Sequence, residues 1–215
     1  MTYDAVLLDS DGVLVEPPGR STFVEAARSA LDRTGVRADP TTVARDLVDG
    51  YLDRVATRCR ESDVSLASFC QQAATTAFAA QRREFEETTR RTYDDVRALW
   101  GLDVPLGVVS DNQPQFVEYV LRRLGLDSLV ETVRCRSLTP ETLEHRKPDP
   151  ANLAAAVDDL DAETAVYVGD TAVDVGAAAN LGIDSVLLER DGPTDVTPTP
   201  DYRIESLTEL AAVLG

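Results

Sequence analysis

The run Ala5-Val6-Leu7-Leu8, closed off by Asp9-Ser10-Asp11-Gly12, constrains this chain more than any other stretch. Four consecutive apolar residues bounded by a turn predict a strand buried on both faces, as in a parallel sheet. Open parallel sheets collect ligands at the carboxyl ends of their strands, which is where the two acids fall. Residues two apart on an extended strand point the same way, so Asp9 and Asp11 can face one crevice. Two such carboxylates repel each other unless a cation or a shared proton intervenes. Two readings follow from this stretch alone: a Mg²⁺-assisted nucleophile paired with an acid/base, or an acidic turn on an acidic protein.

Further along, the hydrophobic period changes twice. Glu16-Pro17-Pro18-Gly19 is a breaker cluster. Helical spacing then dominates. Thr22 and Glu25 form a candidate capping box ahead of Phe23, Ala26, Ala27, Ala30 and Leu31. A second stripe runs from Ala44 through Leu47, Val48, Tyr51 and Leu52 to Val55, and a third from Leu66 to Phe78, continuing weakly towards Tyr93. From about Asp95, short apolar strands alternate with helices. Leu106–Val109 leads into Ser110-Asp111-Asn112, and Pro114 opens a helix that Gly125 stops. Leu129–Cys135 is a candidate strand, and Pro150 opens a candidate helix carrying Leu153, Ala154 and Val157. Ala165–Val168 ends in Gly169-Asp170 ahead of an alanine-rich helix that Gly182 stops. Ser185–Leu188 follows, then a short edge at Tyr202–Ile204 and a closing helix capped by Ser206 and Glu209. This alternation predicts an α/β fold, a doubly wound parallel sheet of Rossmann-like type. An α-helical cap domain over residues 16–92 is expected to be inserted into a core of residues 1–15 and 93–215.

Composition narrows the partners. A net charge of −17 disfavours nucleic acid and anionic membranes. Acid enrichment with arginine as almost the only base resembles proteins of salt-rich cytoplasm, a halophilic pattern. No run approaches a membrane span, and the N-terminus lacks the basic-then-apolar pattern of a secretory signal. Cys59, Cys70 and Cys135 have no metal-site spacing, which suits reduced thiols in a cytoplasmic setting. Lys147 is the only lysine among 21 lysines and arginines, and it sits in His145-Arg146-Lys147-Pro148-Asp149-Pro150. A compact ammonium differs from a guanidinium fork wherever a point charge must approach both a phosphate and an aspartate.

Polar groups of complementary kinds therefore gather at predicted strand ends, Asp9 and Asp11, Ser110, and Asp170 with Asp174 four residues on, and a loop supplies Lys147. The spacing of Asp170 and Asp174 suits one helix face, so both acids can approach one ion. Carboxylates with one cation and one hydroxyl suit a phosphoryl group plus Mg²⁺, a hard ion that prefers oxygen. Singly, Ser110 reads equally as a helix cap, Lys147 as a solvated loop charge, and Asp170 with Asp174 as an acidic helix start.

Taken in order, Asp9-Ser10-Asp11-Gly12-Val13, Ser110, Lys147-Pro148-Asp149-Pro150 and Gly169-Asp170-Thr171 with Asp174 resemble the four motifs of the haloacid dehalogenase-like hydrolase superfamily, in its phosphoglycolate phosphatase and β-phosphoglucomutase-like branch. The resemblance covers nearly the whole chain. It implies a phosphatase acting on a small phosphorylated metabolite, with Asp9 as nucleophile forming an aspartyl-phosphate and Asp11 as general acid and base. It further implies Mg²⁺ held by Asp9, the Asp11 backbone carbonyl and Asp170, with Asp174 nearby. Ser110, Asp111 and Lys147 would form the phosphate-binding group. The residues 16–92 match the family's helical cap, whose inner face chooses the leaving group, with Arg20 and Arg54 as candidate contacts.

One departure stands out. Asp111 occupies a position where the family often has Asn. If its carboxylate points inward, phosphate affinity suffers; if only its backbone N–H faces the ligand, nothing is lost. A β-phosphoglucomutase-type mutase and a non-catalytic phosphate- or partner-binding module are the alternative functions. A 2-haloacid dehalogenase is disfavoured, because that branch lacks the acids that Asp11, Asp170 and Asp174 supply.

Overall fold

Strand β1 (Ala5–Leu8) is buried along its whole length, as its unbroken apolar run requires. It pairs in parallel with β2 (Leu106–Ser110) on one side and with β4 (Ala165–Gly169) on the other. Strands β3 (Val130–Cys135), β5 (Asp184–Leu188) and β6 (Tyr202–Ile204) complete a six-stranded sheet of order β3-β2-β1-β4-β5-β6. All five pairings are parallel. The chain winds outward from β1 first towards β3 and then, in the other direction, towards β6. The order therefore reverses beside β1, and that is where such sheets open a ligand crevice. The computed structural model describes residues 3–87 and 89–215.

Alternation along β1 supplies both faces. Val6 and Leu8 join Leu106, Val108, Val166 and Val168 in one core with Val117 and Leu121 of α5 (Pro114–Leu124). Leu7, Val109 and Tyr167 face the other way, against Leu153 and Ala156 of α6 (Ala151–Asp159) and Ala177 and Ala178 of α7 (Ala172–Leu181). Pro114 occupies the first turn of α5, and Gly125 and Gly182 end α5 and α7 as the sequence predicts. The final helix α8 (Leu210–Leu214) follows a short 3₁₀ turn in which Ser206 and Glu209 form the expected capping box. A 3₁₀ helix, Asp94–Gly101, precedes β2.

Contacts divide the chain into two compact units. The α/β unit takes the chain up to Glu16, Thr92–Cys135 and Lys147–Gly215. The second takes Pro17–Arg91 together with Arg136–Arg146. Its helices are α1 (Arg20–Thr34), α2 (Pro40–Val48), α3 (Leu52–Glu61) and α4 (Leu66–Glu86). Two local expectations change here. The helix α1 starts at Arg20 instead of after a Thr22 cap, because Glu84 of α4 accepts the Gly19 N–H at 3.0 Å and Thr22 is buried within the helix. Glu25 pairs instead with Arg83. The stripe from Ala44 to Val55 is two helices, broken at Gly50, whose φ of +74° disfavours any other residue and whose Cβ would lie 2.9 Å from the Leu143 carbonyl.

Segment Arg136–Arg146 belongs to this helical unit for a visible reason. Leu143 is fully buried in its core beside Val43, Leu47 and Phe69. The buried Arg136 guanidinium donates to the Leu143 carbonyl at 2.9 Å and to the Val48 carbonyl, at the end of α2, at 3.3 Å. Carbonyls in the last turn of a helix have no partner within it, so an arginine satisfies them. Among the described residues, no helix is long and apolar enough to cross a membrane. Replacing Arg136 by Ala is expected to cost about 1.5–3 kcal/mol in chemical denaturation, the range for hydrogen bonds from a charged donor. An unchanged midpoint would show that the clasp contributes nothing.

Candidate active site

Parallel register brings the strand ends level. Leu8 pairs with Val108 on one side and Val168 on the other, so Asp9 leaves the sheet beside Val109 and Gly169. The Asp9 N–H still donates to the Val168 carbonyl at 2.9 Å. Its side chain is buried and held at both oxygens: the Ser10 N–H donates to Oδ1 at 2.7 Å, and Lys147 Nζ lies 2.8 Å from Oδ2.

Lys147 is itself buried. Besides Asp9, its ammonium donates to Asp174 Oδ1 at 2.5 Å and to the Tyr167 hydroxyl at 3.0 Å. An ammonium has three N–H groups, and here three acceptors surround it. The Tyr167 hydroxyl donates to the Val109 carbonyl at 2.9 Å, which fixes it as an acceptor towards the lysine. The other oxygen of Asp174, Oδ2, accepts the Thr171 N–H at 3.0 Å and the Thr171 hydroxyl. Asp174 thus caps α7 and pairs with the lysine at once, so the helix-start reading is true of it without exhausting its contacts.

Carboxylate oxygens of Asp9, Asp170 and Asp174 all lie within 4.8 Å of one another. Gly12 makes room for this: its φ is +82°, and a Cβ there would lie only 2.0 Å from an Asp170 carboxylate oxygen. Crowding shows in the titration. Burial, countered by Lys147 and reinforced by Asp174 and Asp11, pushes Asp9 up to about 8. Burial and then Asp174 push Asp170 up to about 6. Burial also works against the Lys147 ammonium, but Asp174 and Asp9 outweigh it and hold the group protonated well above the ordinary lysine range.

Asp11, Ser110 and Asp111 belong to the same α/β unit as this cluster. Asp11 is half-buried and accepts from Asn112 Nδ2 at 2.9 Å. Ser110 is buried at the end of β2, and its hydroxyl oxygen accepts the Asn112 N–H at 3.2 Å instead of capping α5, whose N-cap is Gln113. The Asp111 carboxylate accepts the backbone N–H of Lys147 through both oxygens, at 3.1 and 3.2 Å. Arg54 belongs to the helical unit, where it stacks on Tyr51 with its guanidinium carbon 4.2 Å from the ring centroid.

Sequence reasoning missed three members of this neighbourhood. Tyr167 carries the lone hydroxyl within an otherwise apolar buried strand, a signal that was available. Asn112 follows two flagged residues. Arg190 offers no signal, yet it donates to the Gly12 and Val13 carbonyls at 3.1 and 2.8 Å while pairing with Asp95. It thereby holds the turn that follows Asp11.

A family model described as haloacid dehalogenase-like hydrolase matches residues 3–182. The chain belongs to the haloacid dehalogenase-like hydrolase family. A phosphoglycolate phosphatase of Cupriavidus necator is 30% identical over 224 residues, covering 98% of this chain and 92% of that protein. A phosphoglycolate phosphatase of Neisseria meningitidis is 28% identical, covering 96% and 91%. Among solved structures, CbbY of Rhodobacter sphaeroides in complex with phosphate shares the fold with a TM-score of 0.69 at 19% identity, over 97% of this chain and 96% of that one. A 2-haloacid dehalogenase of Pseudomonas syringae does so with a TM-score of 0.64 at 21% identity, over 100% and 98%.

For this haloacid dehalogenase-like hydrolase, Tyr167→Phe tests how firmly the lysine is seated. It leaves one buried Lys147 N–H and the Val109 carbonyl without their partner. Denaturation should show a loss of roughly 1–3 kcal/mol. A midpoint equal to wild type would mean that the hydroxyl carries no free energy.

Proposed function

We propose that this hydrolase is a Mg²⁺-dependent phosphatase that cleaves a small phosphate monoester through an aspartyl-phosphate on Asp9. The observation that carries the reading is the seating of the Asp9 carboxylate, with Lys147 Nζ on one oxygen and the Ser10 N–H on the other. A carboxylate approaching a phosphate dianion meets a repulsion of several kcal/mol at about 4 Å and an effective dielectric near 20. A buried ammonium in contact with the nucleophile reduces that repulsion where it is largest.

In the proposed reaction an Asp9 oxygen attacks phosphorus as the ester oxygen departs, and Asp11 donates a proton to that oxygen. Asp11, now ionised, takes a proton from water as the water oxygen attacks the aspartyl-phosphate. This frees inorganic phosphate, restores the Asp9 carboxylate and returns Asp11 to its protonated form. Ser110 keeps its hydroxyl proton as a donor towards a phosphoryl oxygen, since its oxygen already accepts from Asn112. Lys147 neutralises charge that develops around the transferring group.

The donor set fits a hard divalent cation. Three crowded carboxylates, two of them with raised pKa values, supply oxygen only. Asp9, Asp170 and the Asp11 backbone carbonyl would hold Mg²⁺, with Asp174 alongside. When bound, the ion polarises the phosphoryl oxygens and offsets the charge of the acids. The phosphoglycolate phosphatases among its relatives favour a small anionic ester as substrate.

Two outcomes test this. Steady release of phosphate from a panel of small esters should be abolished by Asp9→Asn and by EDTA, and full turnover in either case would overturn the proposal. The second concerns stability. With Asp9 and Asp170 raised to about 8 and about 6 from an ordinary 3.8, the folded protein binds more protons than the unfolded chain between about pH 4 and 8. Stability of the metal-free protein contributed by these groups therefore falls as pH rises through that window. The Tm in EDTA should drop from pH 5 to pH 8, and the rise in Tm on adding Mg²⁺ should grow over the same range. A Mg²⁺ effect independent of pH would contradict the assignment of these acids.

A further inference from the structure

The turn after β2 touches the site at two points. Asp111 reaches Lys147, and Asn112 reaches Asp11. The Asp111 carboxylate receives the Lys147 N–H almost symmetrically, at 3.1 and 3.2 Å. Lys147 lies outside every helix and strand, so its N–H has no ladder or helical acceptor, and a buried residue needs one. This contact fixes where the lysine stem begins, independently of the acids that surround its ammonium.

The Asn112 contact is equally determined. Its Oδ1 accepts the Gln113 N–H at 2.8 Å, so the amide nitrogen must face the other way, and it donates to Asp11 Oδ2 at 2.9 Å. Its own N–H is held by Ser110 Oγ. Gln113 is buried and is the N-cap of α5, so the turn is rooted in a buried strand on one side and a helix start on the other. Side chains mounted on such supports hold reacting groups more closely than side chains on free loops.

We propose that Asp111 and Asn112 are positioning residues, a two-armed brace in which Asp111 sets Lys147 through its backbone and Asn112 sets the Asp11 carboxylate. The assignment rests on the phosphatase reading for its effect on rate, while its structural half does not. It explains why an acid is tolerated in the second motif. The Asp111 charge is directed onto a backbone N–H, and Asn at that place would keep a single acceptor for the same bond.

Because Lys147 is the only lysine, protein made with ¹⁵N-lysine shows one backbone amide resonance. In Asp111→Ala that amide proton should move upfield, and in Asp111→Asn it should move less. Asn112→Ala should leave it in place. With p-nitrophenyl phosphate and Mg²⁺, kcat should fall on the order of tenfold to a hundredfold in Asp111→Ala, the scale of misplaced catalytic groups. KM should move far less, and Asp111→Asn should restore most of the rate. Asn112→Ala should lower kcat to a similar degree. An amide resonance unmoved by Asp111→Ala overturns the lysine arm, and it is read without substrate, so it stands apart from any failure of the phosphatase reading. A lower KM with unchanged kcat in Asp111→Ala would show a residue that merely repels phosphate and would also overturn that arm. An unchanged kcat in Asn112→Ala overturns the other.

Discussion

A single buried ammonium holds this site together. Lys147 meets Asp9 and Asp174 directly, while Asp170 adds a further carboxylate within the same small volume. Removing such charges from water costs several kcal/mol apiece, and only close pairing with hydrogen bonds on every donor offsets the cost. Asp9, Asp174 and Tyr167 provide that pairing for all three lysine N–H groups. Without the cation, the acids would be driven to protonate or to separate. The pressure is already visible in the raised pKa values of Asp9 and Asp170.

The sheet topology makes that pairing possible. With β1 between β2 and β4, the ends of three neighbouring strands present Asp9, Ser110 and Asp170 at one edge. Lys147 arrives from a loop and is seated from two directions, through Asp111 at its backbone and through Tyr167 at its head. Arg190 braces the turn after Asp11 from the far side, its guanidinium shared between two carbonyls and Asp95. Polar networks of this kind define one arrangement sharply when every member is satisfied.

The backbone alone does not select the chemistry. A 2-haloacid dehalogenase and a phosphate-bound CbbY share this fold with comparable TM-scores. A fold of this type hosts different reactions, and side chains at the strand ends distinguish them. Here a second acid after the first strand and the Asp170–Asp174 pair favour phosphoryl chemistry with a hard cation, which is why the phosphatase reading rests on residues and not on overall shape.

Several parts of this molecule were legible in its residues. The β1 run, the ends of β2 and β4, the stops at Gly125 and Gly182 and the Ser206–Glu209 capping box are local signals, set by apolar period and backbone preference. The meeting of Asp9 and Asp170 could be anticipated because parallel strands align their carboxyl ends. Other features were illegible for a physical reason: they are long-range contacts whose partners carry no shared pattern. Gly50 splits a continuous apolar stripe because the Leu143 carbonyl crowds it, and Arg136 joins the helical unit because it finds the carbonyls ending α2. Glu84, far along the chain, moves the start of α1 by occupying the Gly19 N–H. The direction of the Asp111 carboxylate is of the same kind. Its identity was plain from the sequence, but whether its charge faced a ligand or a backbone N–H depended on where the Lys147 loop passed, and only the tertiary structure decided that.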